Sequence, residues 1–283
     1  MSVTASAVKE LRQKTGAGMM DCKKALVEAG GDMEEAIKIL RTKGLAAAAK
    51  KAHRVASEGL VVIVGDAAKA AMIELNCETD FVARNTDFQE FAKALADQTL
   101  ADCPADVEEL KGRPFAGDSS HTVEEIISQR IATIGENIVL SRVACVEAAA
   151  GCKLSSYTHM GGRMGVIVEG TDSIPDEALH DVAMHIAATD PRYVSRDEVT
   201  DEILATEKEI ALKQAIESGK PEHIAEKIVQ GKMEKFFEQV VLMEQPFARD
   251  SSKTVGAFLA EVGGEGARVT RFVRFKLGEG AGG

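Results

Sequence analysis

The sequence predicts an α+β protein: an N-terminal three-helix module, then a duplicated α+β core whose second copy carries an inserted antiparallel helical hairpin. Three observations predict this. Helical spacing of apolar residues gives way to strand alternation near residue 60, a ten-residue segment returns 132 positions later, and the second copy is lengthened by a charged, helically patterned stretch. The expected units are residues 1–54 (the helices and a linker), 55–147 (first core half) and 148–283 (second core half), with the hairpin near 197–243.

Thr4 caps a first helix that carries Val8 and Leu11 and stops at Gly16. Met19, Cys22, Leu26 and Ala29 trace one stripe of a second, which Gly30-Gly31 ends. Asp32, with Glu35 three residues on, opens a third whose Met33, Ile37 and Leu40 face inward and which Gly44 closes. Met19 and Met20 have two readings at this point, binding-surface methionines or ordinary core. The alanine-rich stretch from Leu45 to Arg54 is expected to be a helical linker with a solvated basic face.

Leu60–Val64 and Ala70–Cys77, separated by Gly65-Asp66, form a hairpin in which Ala71, Ile73, Leu75 and Cys77 share one strand face. The alternation breaks at Thr79. Asp87 is then the expected cap of a helix with Glu90 closing a capping box, and Phe88, Phe91, Ala92, Leu95 and Ala96 supply its buried stripe. Phe81 falls between the two elements. It is either a staple that holds the junction to the core, beside a capping Asp80, or an apolar wedge offered to a partner.

The repeat is Pro114-Phe115-Ala116-Gly117-Asp118-Ser119-Ser120-His121-Thr122-Val123 against Pro246-Phe247-Ala248-Arg249-Asp250-Ser251-Ser252-Lys253-Thr254-Val255, with eight of ten positions identical. Each copy continues into a short amphipathic helix and a strand, and each is preceded by a strand and a helix, so one α+β unit is duplicated. Arg142 and Arg274 are the expected equivalents in the last strands. The second copy holds the insertion. Val199, Ile203 and Ile210 mark one helix, Ser218-Gly219-Lys220-Pro221 a reversal, and Val229, Met233, Phe236 and Val240 a helix running back. Such an arm either offers its outer face to another protein or is purely structural.

Composition narrows the function. At 283 residues the chain can fill two or three cores, and its apolar fraction of 45% is ordinary for a globular protein. A formal net charge of -11 argues against a nucleic-acid surface, because phosphate binding needs clustered Lys and Arg. Cys22, Cys77, Cys103, Cys145 and Cys152 are odd in number and scattered, as expected of reduced thiols in a cytoplasmic protein. No apolar run approaches a transmembrane span, and helical signals beginning at Thr4 leave no room for a leader, so a soluble cytoplasmic chain is expected. Among His53, His121, His159, His180, His185 and His223 no two are spaced i, i+4, so neither metal nor cofactor is expected. Tyr157-Thr158-His159-Met160-Gly161-Gly162-Arg163-Met164-Gly165 is a glycine-rich loop that feeds a strand, the reverse of the order in a phosphate loop.

Two segments carry a resemblance. Glu74-Leu75-Asn76-Cys77-Glu78-Thr79-Asp80-Phe81-Val82-Ala83-Arg84-Asn85 resembles the Thr-Asp-Phe-Val signature of the bacterial elongation factor Ts family, and Leu11 to Leu26, LRQKTGAGMMDCKKAL, resembles that family's other signature. Glu78 stands where glutamine is common and Arg84-Asn85 where lysine and aspartate are common, which leaves Asp80-Phe81 untouched. Tyr157 to His159 resembles the family's Tyr-x-His loop. The likeness covers nearly the whole chain, although some members continue past the point equivalent to Gly283 with a further helix.

The resemblance implies a ubiquitin-associated-like N-terminal fold and a guanine nucleotide exchange factor whose partner is elongation factor Tu, GDP-bound and nucleotide-free. It implies Thr79, Asp80, Phe81 and Val82 as a wedge at the partner's magnesium and nucleotide site, with Met19, Met20 and His159 as further contacts. No catalytic residue is needed. A different class stays open, a chaperone or adaptor that binds a translation partner without exchange activity, and a nucleotide-dependent enzyme is a third.

Overall fold

In a computed structural model the described residues are 3–217 and 222–279, with no side chains described for 222–226. They form a mixed helix-and-sheet protein that begins with three helices, α1 (Ala5–Thr15), α2 (Met19–Glu28) and α3 (Met33–Lys51). Thr4 and Asp32 cap α1 and α3 through their side chains, and Gly16, at φ 63°, ends α1. Val8, Leu11, Cys22, Ala25, Leu26 and Ala36 make a small core of their own. Met19 lies outside that stripe, on the exposed side of α2.

Gly44 does not end α3, which runs unbroken through the expected linker. The reason is packing: a Cβ on Gly44 would lie 3.8 Å from the Ser128 carbonyl and 3.9 Å from the Ala132 Cβ, so the glycine sits where a later helix passes close by.

The first core half follows as β1 (Glu58–Gly65), β2 (Lys69–Cys77), α4 (Asp80–Ala83), α5 (Thr86–Asp102), α6 (Val107–Gly112), the short strands β3 (Pro114–Phe115) and β4 (Asp118–Thr122), α7 (Val123–Ile134) and β5 (Val139–Glu147). Asn85, not Asp87, caps α5, its side-chain oxygen accepting from the Asp87 backbone N–H at 2.8 Å. The second half runs β6 (Cys152–His159), β7 (Met164–Thr171), α8 (Asp176–Thr189), α9 (Asp201–Glu217), α10 (Glu222–Val240), β8 (Pro246–Phe247), β9 (Asp250–Thr254), α11 (Val255–Gly263) and β10 (Val269–Lys276). The expected loop from Tyr157 to His159 is therefore the end of a strand, with His159 opposite Met164 in the β6–β7 ladder. The expected reversal at Ser218–Pro221 lies outside the described residues.

Two antiparallel three-stranded sheets, ordered β1-β2-β5 and β10-β7-β6, pack face to face between helices. α5 and α7 cover the outer face of the first sheet, and α8 and α11 that of the second. Between the sheets lie Val61, Met72, Leu154, Ile167 and Phe275. Gly165 allows the close approach, since a Cβ there would come within 2.7 Å of both Met72 and Val61. β2 is consequently buried on both faces, and the face expected to be the wetter one carries Met72, Glu74 and Asn76 at no measurable exposure.

Several hydrogen bonds recur at equivalent places in the two copies. The Val123 N–H donates to the Arg113 carbonyl and the Val255 N–H to the Gln245 carbonyl. The Ala116 N–H meets Gln98 Oε1 at 3.0 Å, and its counterpart on Ala248 meets His185 Nδ1 at 3.1 Å. Each central strand also buries a glutamate bonded to an arginine beside a bulge, Glu74 to Arg142 Nε at 2.6 Å and Glu169 to Arg271 Nε at 2.7 Å. The equivalent of Arg142 is thus Arg271 rather than Arg274, because α11 has 9 residues against 12 in α7 and the register beyond it shifts. Both arginines then reach across the seam between halves. Arg142 Nη2 donates to the Lys276 carbonyl at 2.8 Å, and Arg271 Nη2 to the Glu147 carbonyl.

α10 packs back along α9 with Ala211, Ala215, Met233 and Phe237 buried, and Val199, Phe237 and Val241 root the pair in the second half. One expectation about the cysteines fails. Cys103 and Cys145 are joined in a disulfide with Cα atoms 5.3 Å apart, because the left-handed cap of α5 at Cys103 turns the chain toward the edge strand β5. Cys22, Cys77 and Cys152 are free. Among the described residues no helix is long and apolar enough to cross a membrane.

Candidate partner-docking site

Where β2 ends, a carboxylate distant in sequence braces the chain. Glu136, just beyond α7, accepts the Glu78 N–H at 3.1 Å, the Thr79 N–H at 3.0 Å and the Thr79 hydroxyl at 2.7 Å. In return Glu78 Oε1 accepts the Asn137 N–H at 2.6 Å, and Asn137 Nδ2 donates to the Arg54 carbonyl at 2.8 Å. The bond from the Asn137 N–H is the main reason the Glu78 carboxyl titrates below its ordinary range. Burial, reinforced by the Glu136 charge, pushes the Cys77 thiol up to about 12, so this cysteine is unreactive at neutral pH.

Thr79 caps the single turn of α4, its hydroxyl oxygen accepting the Val82 N–H at 3.4 Å. On that turn Ala83 is buried and Val82 rests against the core. Asp80 pairs with Arg84 at 3.0 Å on the exposed side. Phe81 points away, with 82% of its surface exposed, the highest value among the large hydrophobic side chains described. The staple reading of Phe81 is excluded by this placement, and Thr79, not Asp80, does the capping.

His159 lies at the same end of the molecule. It ends β6, and the following turn is tied to the start of β1 by a 2.7 Å bond from the Val61 N–H to the Gly162 carbonyl and by a 2.6 Å ion pair of Arg163 with Glu58. Glu58 stands opposite Cys77 in the first sheet, so the Phe81 turn and the His159 turn flank one strand end. Met160, 71% exposed, occupies this turn at φ 48°. Met19 and Met20, 56% and 62% exposed, are not in this group. They begin α2 on the helical module, which meets the core where Lys51 Nζ reaches the Ile131 carbonyl and Arg41 pairs with Glu125.

Glu136 and Asn137 were not singled out by sequence reasoning. Their partners, on Arg54, Glu78 and Thr79, lie some sixty to eighty positions away and leave no mark in composition or spacing. Among the described residues no group of three or more His, Cys, Asp or Glu side chains is placed to hold a metal ion.

A solvent-facing ring on a turn braced by three hydrogen bonds is the geometry of a docking protein, one that presents side chains to another macromolecule. Residues 78–279 match the model of the family described as Elongation factor TS. The chain is also 51% identical, over 288 aligned positions spanning 99% of its length and 94% of the relative's, to a protein named Elongation factor Ts from Syntrophotalea carbinolica. The chain belongs to the elongation factor Ts family of translation elongation factors.

Proposed function

We propose that this chain is the guanine nucleotide exchange factor for elongation factor Tu and acts by weakening the partner's hold on GDP. The observation that carries the proposal is Phe81, exposed on a turn that three hydrogen bonds to Glu136 hold in place. A factor that binds the nucleotide-free partner more tightly than the GDP-bound form must weaken GDP binding by the same ratio. Asp80 and Phe81 act as the wedge beside the magnesium and phosphate site, with Thr79 and Val82 setting their direction. Burying the ring contributes about 1.5–3 kcal/mol, which offsets part of the cost of distorting that site.

His159 orients the core on a second face of the partner. Met19 and Met20 dock the N-terminal module, residues 1–54, which takes a ubiquitin-associated-like fold separable from the core halves at 55–147 and 148–283. The insertion near 197–243 is a coiled-coil arm whose exposed Ile210, Leu212 and Ile216 supply apolar contact. Exchange takes place in the cytoplasm and needs no cofactor from this chain.

Release of a fluorescent GDP analogue from elongation factor Tu tests the proposal. Catalytic amounts of this protein should accelerate release by orders of magnitude. Tight binding with no acceleration would instead identify an adaptor, and no binding would refute both.

A further inference from the structure

Tyr157, His159 and His180 form a cluster on the outer side of the second sheet. The Tyr157 hydroxyl lies 2.8 Å from His159 Nδ1, with the two ring centroids 5.7 Å apart. His180, on α8, meets the Tyr157 ring edge-on at 5.8 Å. Its Nδ1 is 3.1 Å from the Ser156 carbonyl, which only accepts, so that nitrogen carries a proton and the His180 ring is fixed. Tyr157 is half-buried and packs on the second core, while His159 is exposed.

We propose that Tyr157 is a positioning residue: its hydroxyl donates to His159 Nδ1, holding the exposed imidazole in the Nε2–H tautomer. The ring then offers one N–H outward to a carbonyl or carboxylate oxygen of the partner. This rests on the reading of His159 as a contact with elongation factor Tu and extends it, because it says which atom makes the contact and what aims it. A neutral imidazole has one donor and one acceptor, and occupying the acceptor with a phenol leaves the donor free. The phenol is itself held, by the core beneath it and by the edge of His180, so the aim is inherited from the sheet and α8. A free His159 would divide its population between tautomers and rotamers and would pay for ordering on docking.

Two measurements on the full chain test this. Nitrogen-15 spectra of the free protein should show His159 protonated at Nε2 in the wild type and as a tautomer mixture in Tyr157→Phe, whose thermal unfolding should be unchanged because the ring remains. Affinity for nucleotide-free elongation factor Tu should fall roughly three- to tenfold in Tyr157→Phe, the range of one modest hydrogen bond. In a His159→Ala background the same substitution should change affinity less than twofold. Equal losses in both backgrounds, or a wild-type His159 protonated at Nδ1, would overturn the proposal while leaving His159 a contact. If His159→Ala alone leaves affinity unchanged, the docking reading of that residue falls and the proposal falls with it.

Discussion

Leaving Phe81 in water forgoes the 1.5–3 kcal/mol or so that a buried phenylalanine returns, and the free protein gains nothing visible for it. Phe81→Ala is therefore expected to unfold within about 0.5 kcal/mol of the wild type, the range of an ordinary surface change. GDP release from elongation factor Tu should meanwhile slow at least tenfold. A loss of about 3–5 kcal/mol, typical of emptying a core aromatic site, would show that the ring is buried in solution. Glu136→Ala should behave in the opposite order. It strips the acceptor from two backbone N–H groups and one hydroxyl, so denaturant unfolding should report a loss of about 1–3 kcal/mol, and exchange should weaken because the turn is loose. Sequence located Phe81 between two elements and left its direction undecided. The single turn of α4, capped by Thr79 and bonded through Glu78 and Thr79 to Glu136, leaves the ring exposed, and no local pattern encodes the Glu136 partnership.

Among the elements, those with strong periodicity were legible: α5, α7 and the strand pairs occupy the places their apolar residues predict. Misplacements arose where a local signal met a tertiary one. Gly44 carries a stop signal, but the passing α7 makes it a packing residue inside a helix. Asn85 and Asp87 are equally good caps on paper, and the chain leaving α4 reaches Asn85 first in an extended conformation. The Cys103–Cys145 bond joins positions 42 apart that have no spacing rule between them. Because a methyl on Gly44 would meet α7 only at ordinary contact distance, Gly44→Ala should raise stability by up to about 1 kcal/mol through helix propensity. Leucine at the same place would wedge α3 from α7 and should lower the melting temperature. Replacing residues 201–240 by a short loop should leave the melting of the two sheets nearly unchanged while weakening the complex with elongation factor Tu. Collapse of the whole fold would show that α9 and α10 are structural.

On the scale of the molecule, the duplicated halves place different groups at one equivalent buried position, Gln98 in the first and His185 in the second. Gln98 accepts the Ala116 N–H and His185 the equivalent Ala248 N–H, and burial lowers the His185 pKa below its ordinary value near 6.5. A histidine kept neutral in the fold and protonated in the unfolded chain makes the unfolded state bind more protons. Stability is thus full above about pH 6.5 and declines as the pH falls below it. His185→Gln, which copies the first half, should flatten that decline in urea titrations between pH 7 and 5, and an unchanged slope would show that the decline has another source. The seam itself was hidden from the sequence, because Glu74 and Glu169 look like surface residues until a second sheet covers them. The crossing arginines mean that each half completes a terminus of the other, Arg142 at Lys276 and Arg271 at Glu147. The connection between the halves passes through the turn after Glu147, where the chain can be cut without breaking either sheet. Two polypeptides ending and beginning at that turn should then behave as a split reporter: each alone insoluble, with one sheet face bare, and together regaining GDP-release activity on mixing.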